Sequence, residues 1–103
     1  MKPVIIVSTF PNKTIIKNIG KQLVQKKLAA CVNISKIDSI YSWKGKIQND
    51  SEYLAIFKTT KKNEKTLKNE IKKLHPYDVP EIAEINVNSM NKPYLDWLTD
   101  STI

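Results

Sequence analysis

Leu74-His75-Pro76-Tyr77-Asp78-Val79-Pro80-Glu81-Ile82 joins a lysine-rich amphipathic segment to an apolar alternating run. Pro76 and Pro80 each fix φ and remove an amide donor. A proline also disfavours helix for the residue before it, so a helix ends near Leu74 or His75. Proline is tolerated at the first residue or edge of a strand, so a strand starts just after Pro80. The stretch is therefore a rigid corner between a helix and a strand. It carries the single histidine of the chain, His75, within six residues of Tyr77, Asp78 and Glu81. An imidazole there lies near free helix carbonyls and the negative end of the helix dipole, which favours its protonated form. Histidine is also the commonest metal ligand, which makes His75 the candidate metal-binding residue.

Working outward, Leu67, Ile71 and Leu74 recur at i, i+4, i+7, the stripe of a helix capped by Thr60 or Asn63. After the corner, Glu81 to Asn88 reads as a strand through Ile82, Ile85 and Val87, and Pro93 suits the first turn of a short last helix. Upstream, the β-branched run Val4 to Thr9 reads as a buried strand. Asn12 then caps a helix over Lys13 to Lys27, with Ile16, Ile19, Leu23 and Val24 on one face. Gly20 falls mid-helix, where it costs stability unless a neighbour packs closely. Cys31 reads as a buried small hydrophobe. Val32 to Trp43 is one long bent strand or two strands meeting near residues 36–38. Trp43-Lys44-Gly45-Lys46 is a hairpin turn, with positive φ at Gly45, and Ser51 to Thr60 returns along the first arm. The order is β-α-β-β-α-β plus a short helix, an α+β, ferredoxin-like topology for a single domain over residues 1–103. Two helices cover one face of its sheet, and self-association is the simplest cover for the other. Tyr41, Trp43 and Tyr53 on a projecting hairpin suit either an oligomer interface or a cover for the domain's own core.

The composition excludes several classes. The chain is 41% hydrophobic and 26% charged, as in an ordinary globular protein. It has a net charge of +7, carried by 17 lysines and no arginine. Arginine is the preferred residue for bidentate phosphate and guanine contacts, so specific nucleic-acid recognition is disfavoured. The absence of arginine also excludes an acylphosphatase-type site. The third strand lacks the basic-Gly-aromatic signature of RNA-recognition domains. No glycine-rich phosphate loop, metal-binding Cys/His spacing or nucleophile-base pair is present, so a binding protein fits better than an enzyme. One cysteine permits no internal disulfide, and the first apolar run is too short for a signal core or membrane span. A cytoplasmic location follows as the expectation.

Val7-Ser8-Thr9-Phe10-Pro11, Leu28-Ala29-Ala30-Cys31-Val32-Asn33-Ile34, Ser39-Ile40-Tyr41-Ser42-Trp43-Lys44-Gly45-Lys46, Lys58-Thr59, the corner and Tyr94-Leu95-Asp96-Trp97-Leu98 resemble the CutA family of divalent-cation tolerance proteins. The resemblance covers almost the whole chain. It implies a homotrimer with interlocking hairpins, similar in architecture to PII-type signalling proteins, and a link to copper and other divalent cations without enzymatic activity. No cofactor is implied for folding. The family's copper pattern places a cysteine on the first strand and two adjacent histidines at the corner. Ser8 and Leu74 stand at two of these positions and only His75 remains, with Cys31 and Glu81 as candidate helpers. The likeness to PII-type proteins implies a second candidate site, an anionic-ligand pocket between subunits built from Trp43, Lys58, His75, Tyr77, Glu81 and Trp97. A structural trimer without a small ligand is the third reading. A further protein partner stays open, and no membrane partner is implied.

Overall fold

The computed structural model describes residues 2–103. Its elements are β1 (Pro3–Phe10), α1 (Lys13–Gln25), β2 (Cys31–Trp43), β3 (Lys46–Thr60), α2 (Glu64–Leu74), β4 (Ala83–Asn86) and α3 (Lys92–Asp100). A 3-10 turn over Lys61–Asn63 leads into α2. The strands form one antiparallel sheet in the order β2-β3-β1-β4. That is the ferredoxin-like arrangement expected from the order of elements.

Period-two alternation gives each strand two faces. Val4, Ile6 and Phe10 of β1 and Ala55 and Phe57 of β3 are buried, as are Ile16, Ile19 and Leu23 of α1 and Leu67 and Ile71 of α2. These side chains form the core between the sheet and the two helices. The opposite face carries Ile5, Val7, Leu54 and Ile56, all half-buried, and Ile85, which is 51% exposed. Neither α1 nor α2 covers it, and Tyr94 of α3 reaches the Lys58 ammonium at one end of β3.

The Asn12 side chain accepts from the Ile15 amide at 2.9 Å, the expected cap of α1. α1 ends at Gln25, earlier than expected, because Lys27 adopts φ +59. The Leu28 and Lys27 amides fold back onto the Leu23 and Val24 carbonyls at 3.0 Å, a Schellman closure. Val24, expected on the buried face, is 39% exposed. A Cβ built on Gly20 would touch the Val32 side chain at 3.6 Å, an ordinary contact. The helix therefore lies close to β2 yet has room for a methyl group. Gly20→Ala is expected to raise stability by about 1 kcal/mol, read as a higher urea midpoint at unchanged slope.

Three further expectations need correction, the start of β3, the span of β4 and the cap of α2, whereas a single long β2 and positive φ at Gly45 hold. β2 is one uninterrupted strand, and β3 begins at Lys46 rather than Ser51, so the arms pair from Trp43↔Lys46 to Cys31↔Lys58. The turn uses positive φ at both Lys44 (51°) and Gly45 (77°), as a type I′ hairpin does. β4 spans only four residues at a sheet edge, since Pro80 and the corner delay it. Neither Thr60 nor Asn63 caps α2 with its side chain. The Asn63 amide instead donates to the Ile103 carbonyl at 2.6 Å and the Thr60 hydroxyl at 3.3 Å. Lys68 and Lys61 of the α2 region reach Glu84 of β4 at 2.8 and 2.9 Å. Their charge-assisted hydrogen bonds, led by that of Lys68, hold the Glu84 carboxyl down to about 2.

Candidate functional site

The corner places the His75 ring against β1. Leu74 closes α2 against the core, and His75 leaves the helix at an extended ψ of 135°. Its ring stacks on Phe10 at 4.2 Å between centroids and lies 5.1 Å from Tyr77. Nε2 sits 2.9 Å from the Thr9 carbonyl and 3.1 Å from the Ser8 hydroxyl. Nδ1 accepts from the Tyr77 amide at 3.1 Å. A carbonyl only accepts and an amide only donates, so the proton belongs on Nε2 and the lone pair on Nδ1.

This corrects the charge state expected from the helix terminus. The ring turns away from the last helical carbonyls and into β1, where burial lowers its pKa against the raising effects of the Thr9 carbonyl and Glu52. As pH falls, the unfolded chain therefore takes up this proton first, and stability declines below the usual imidazole value of 6.5. The urea midpoint should fall between about pH 7.5 and about pH 5.5, with a smaller fall in His75→Gln. An equal fall in both proteins would assign the effect to other groups.

Tyr77 carries the corner onto the uncovered sheet face. Its hydroxyl donates to Glu52 of β3 at 2.8 Å. Burial and this carboxylate both push the phenol pKa up. On the neighbouring arm the Tyr41 hydroxyl donates to Asp50, which raises its pKa likewise. Between hairpin and corner opens a groove of about 1090 Å³. Tyr41, Trp43 and Tyr77 supply its aromatic surface, and Asp50, Glu52, Asp78 and Glu81 its charge. No lysine lines it, although the chain has 17. Its potential suits a cation, not the anionic ligand expected of a subunit-boundary pocket.

The remaining sequence candidates divide. Trp43, Tyr77 and Glu81 share the groove. Lys58 lies elsewhere, 5.5 Å above the Tyr94 ring, and Tyr94 packs against Trp97. Within one chain these residues do not form a single pocket. Of the hairpin aromatics, Tyr41 and Trp43 are exposed, while Tyr53 packs against the core from the helix-covered face. Cys31 is half-buried on edge strand β2, less enclosed than expected, with its thiol 3.8 Å from Asn33 Oδ1. Among the described residues, no three His, Cys, Asp or Glu side chains converge to hold a metal ion. Cys31 and Glu81 therefore do not complete a three-donor site with His75 inside one chain. Sequence reasoning missed Glu52 and Asp50, whose signal was their alternation with Ser51 and Tyr53 along β3. Among the described residues, no helix is long and apolar enough to cross a membrane.

The CutA1 divalent ion tolerance protein family model matches residues 4–101. The divalent-cation tolerance protein CutA of Thermotoga maritima is 44% identical over 100 residues, which cover 97% of this chain and 99% of that one. The crystal structure of CutA1 from Pyrococcus horikoshii superposes with a TM-score of 0.93 at 40% identity, covering 97% of this chain and 98% of that one. The CutA1 structure from Ehrlichia chaffeensis gives 0.95 at 35% identity, covering 100% and 98%. Matched over residues 4–101 and similar to these relatives along almost its whole length, the chain belongs to the CutA1 divalent ion tolerance protein family.

Proposed function

We propose that this chain serves divalent-cation tolerance as a cytoplasmic homotrimer, acting by binding rather than catalysis. The observation that carries the assembly is the uncovered sheet face. Ile5, Val7, Leu54, Ile56 and Ile85 form an apolar surface that lies away from α1 and α2. Along the hairpin Trp43, 57% exposed, lies on this same face, and Ile40 and Ile47, 72% and 75% exposed, lie on the reverse of the arms. Contiguous apolar surface of this kind marks an interaction site. A second copy offers a matching face, and the number three rests on the family resemblance. The single cysteine suits a reducing compartment.

Copper or another divalent cation is the proposed ligand. Because no three donors converge within one described chain, a chelate is completed only when copies meet. The carboxylate groove opens on the uncovered face, so its charge lies where copies meet. Light scattering is expected to give three times the 11.8 kDa chain mass, and copper titration a stoichiometry per assembly. A monomer of the chain mass at micromolar concentration would overturn the assembly. A trimer that binds no divalent cation would leave the structural-trimer reading.

A further inference from the structure

We infer that the His75 corner of this chain is closed to divalent cations and acts as a hydrogen-bonded brace that positions Tyr77 over the groove. A histidine that holds a metal donates one ring N–H to a carbonyl or carboxylate and turns the lone pair of its other nitrogen to the metal. The first half of that arrangement is present, with Nε2 set on the Thr9 carbonyl at 2.9 Å. The second half is taken. The Nδ1 lone pair accepts the Tyr77 amide at 3.1 Å, from a residue only two positions along the chain.

The positions around the ring point the same way. Ser8 is fully buried on β1, and its hydroxyl sits on the Nε2–H side at 3.1 Å, where it can only accept. Leu74 offers an apolar side chain packed against the core. A hydroxyl and an alkyl group are poor copper ligands, and one imidazole is a weak site by ligand count. A cation reaching Nδ1 would have to displace the Tyr77 amide. That shift would also strain the Tyr77 hydroxyl on Glu52 at 2.8 Å. The same contacts explain why the ring is retained. It joins β1, through Ser8 and Thr9, to the loop that carries Tyr77 to β3. Every one of these contacts lies within one chain, so the inference stands apart from the proposed assembly.

Because His75 is the only histidine, its ring gives a single, unambiguous set of nitrogen NMR signals. The test records long-range proton–nitrogen spectra of the native protein during a zinc titration. The expected result is the Nε2–H tautomer, with both nitrogen signals unmoved through about a tenfold excess of zinc. A saturable shift of either signal would overturn the inference. In a second arm, calorimetry compares copper affinity in the native chain and His75→Gln. Affinity within about twofold is expected, and a loss of about tenfold or more would overturn the inference. The third readout is the brace itself. His75→Gln should move the Tyr77 ring signals, and unchanged Tyr77 signals would remove His75 as their positioning residue. If His75→Gln does not fold, the zinc titration of the native chain still decides.

Discussion

Phe10→Ala is expected to lower unfolding free energy by about 3–5 kcal/mol, the range for emptying a fully buried aromatic site. Phe10 is 0% exposed at the end of β1. Its ring meets Phe57 edge-on at 6.5 Å between centroids and stacks on His75 at 4.2 Å. The site cannot collapse easily, because a strand, the corner and the core each fix one side. The loss should have two signatures. The urea midpoint falls at fixed protein concentration, since assembly would otherwise contribute to apparent stability. The His75 ring signals also broaden or shift, since the stack that holds the imidazole is gone. Phe10→Leu, which keeps most of the apolar volume, should cost much less, about 1–2 kcal/mol. A loss under about 1 kcal/mol for Phe10→Ala would mean that this pocket is not the keystone of the core.

Ile56→Asp should reduce the proposed trimer to the 11.8 kDa chain while leaving the helices and sheet intact. Ile56 lies on β3, directly opposite Val7 of β1 and Asn33 of β2, in the middle of the uncovered face. An aspartate there remains hydrated in a free monomer, but an interface would bury it without a partner. Burying an unpaired carboxylate costs several kcal/mol per copy, and a symmetric assembly incurs that cost at every copy. Sedimentation should therefore show a monomer, and far-UV circular dichroism should be unchanged. A variant that remains a trimer would place the contact elsewhere, and the distal hairpin with Trp43 and Ile47 would be the next surface to test.

The fold is legible in this sequence because its signals are local. Asn12 before a 3.6-residue stripe starts α1, and Pro76 ends α2. Alternation at Tyr53, Ala55 and Phe57 assigns β3 its core face, and it also places Tyr53 away from the hairpin's exposed aromatics. The distal hairpin is less legible, since Gln48, Asn49 and Asp50 carry no apolar alternation although the ladder runs through them. The left-handed residues Lys27 and Lys44 are hidden for another reason. Glycine or asparagine ordinarily signals that conformation, and lysine does not. The corner is legible as a bend, but its contents are not. His75 depends on Ser8 and Thr9, which lie 67 and 66 positions earlier. No local rule brings those atoms together, so the helix dipole next to the ring gives the wrong charge state.

Both tryptophans lie at the surface, Trp43 at 57% and Trp97 at 46% exposure, and neither enters the core. In most small proteins indole emission reports unfolding, because the ring leaves a dry interior for water. Here a single folded chain already leaves the Trp43 indole largely in water, and only Trp97, packed on Tyr94, gains much exposure on unfolding. The optical signal should instead follow whatever covers the hairpin. A blue shift that grows with protein concentration would report subunits meeting, and a shift that is constant on dilution would report a contact made within the chain. Emission and circular dichroism should thus separate association from folding in the same cuvette.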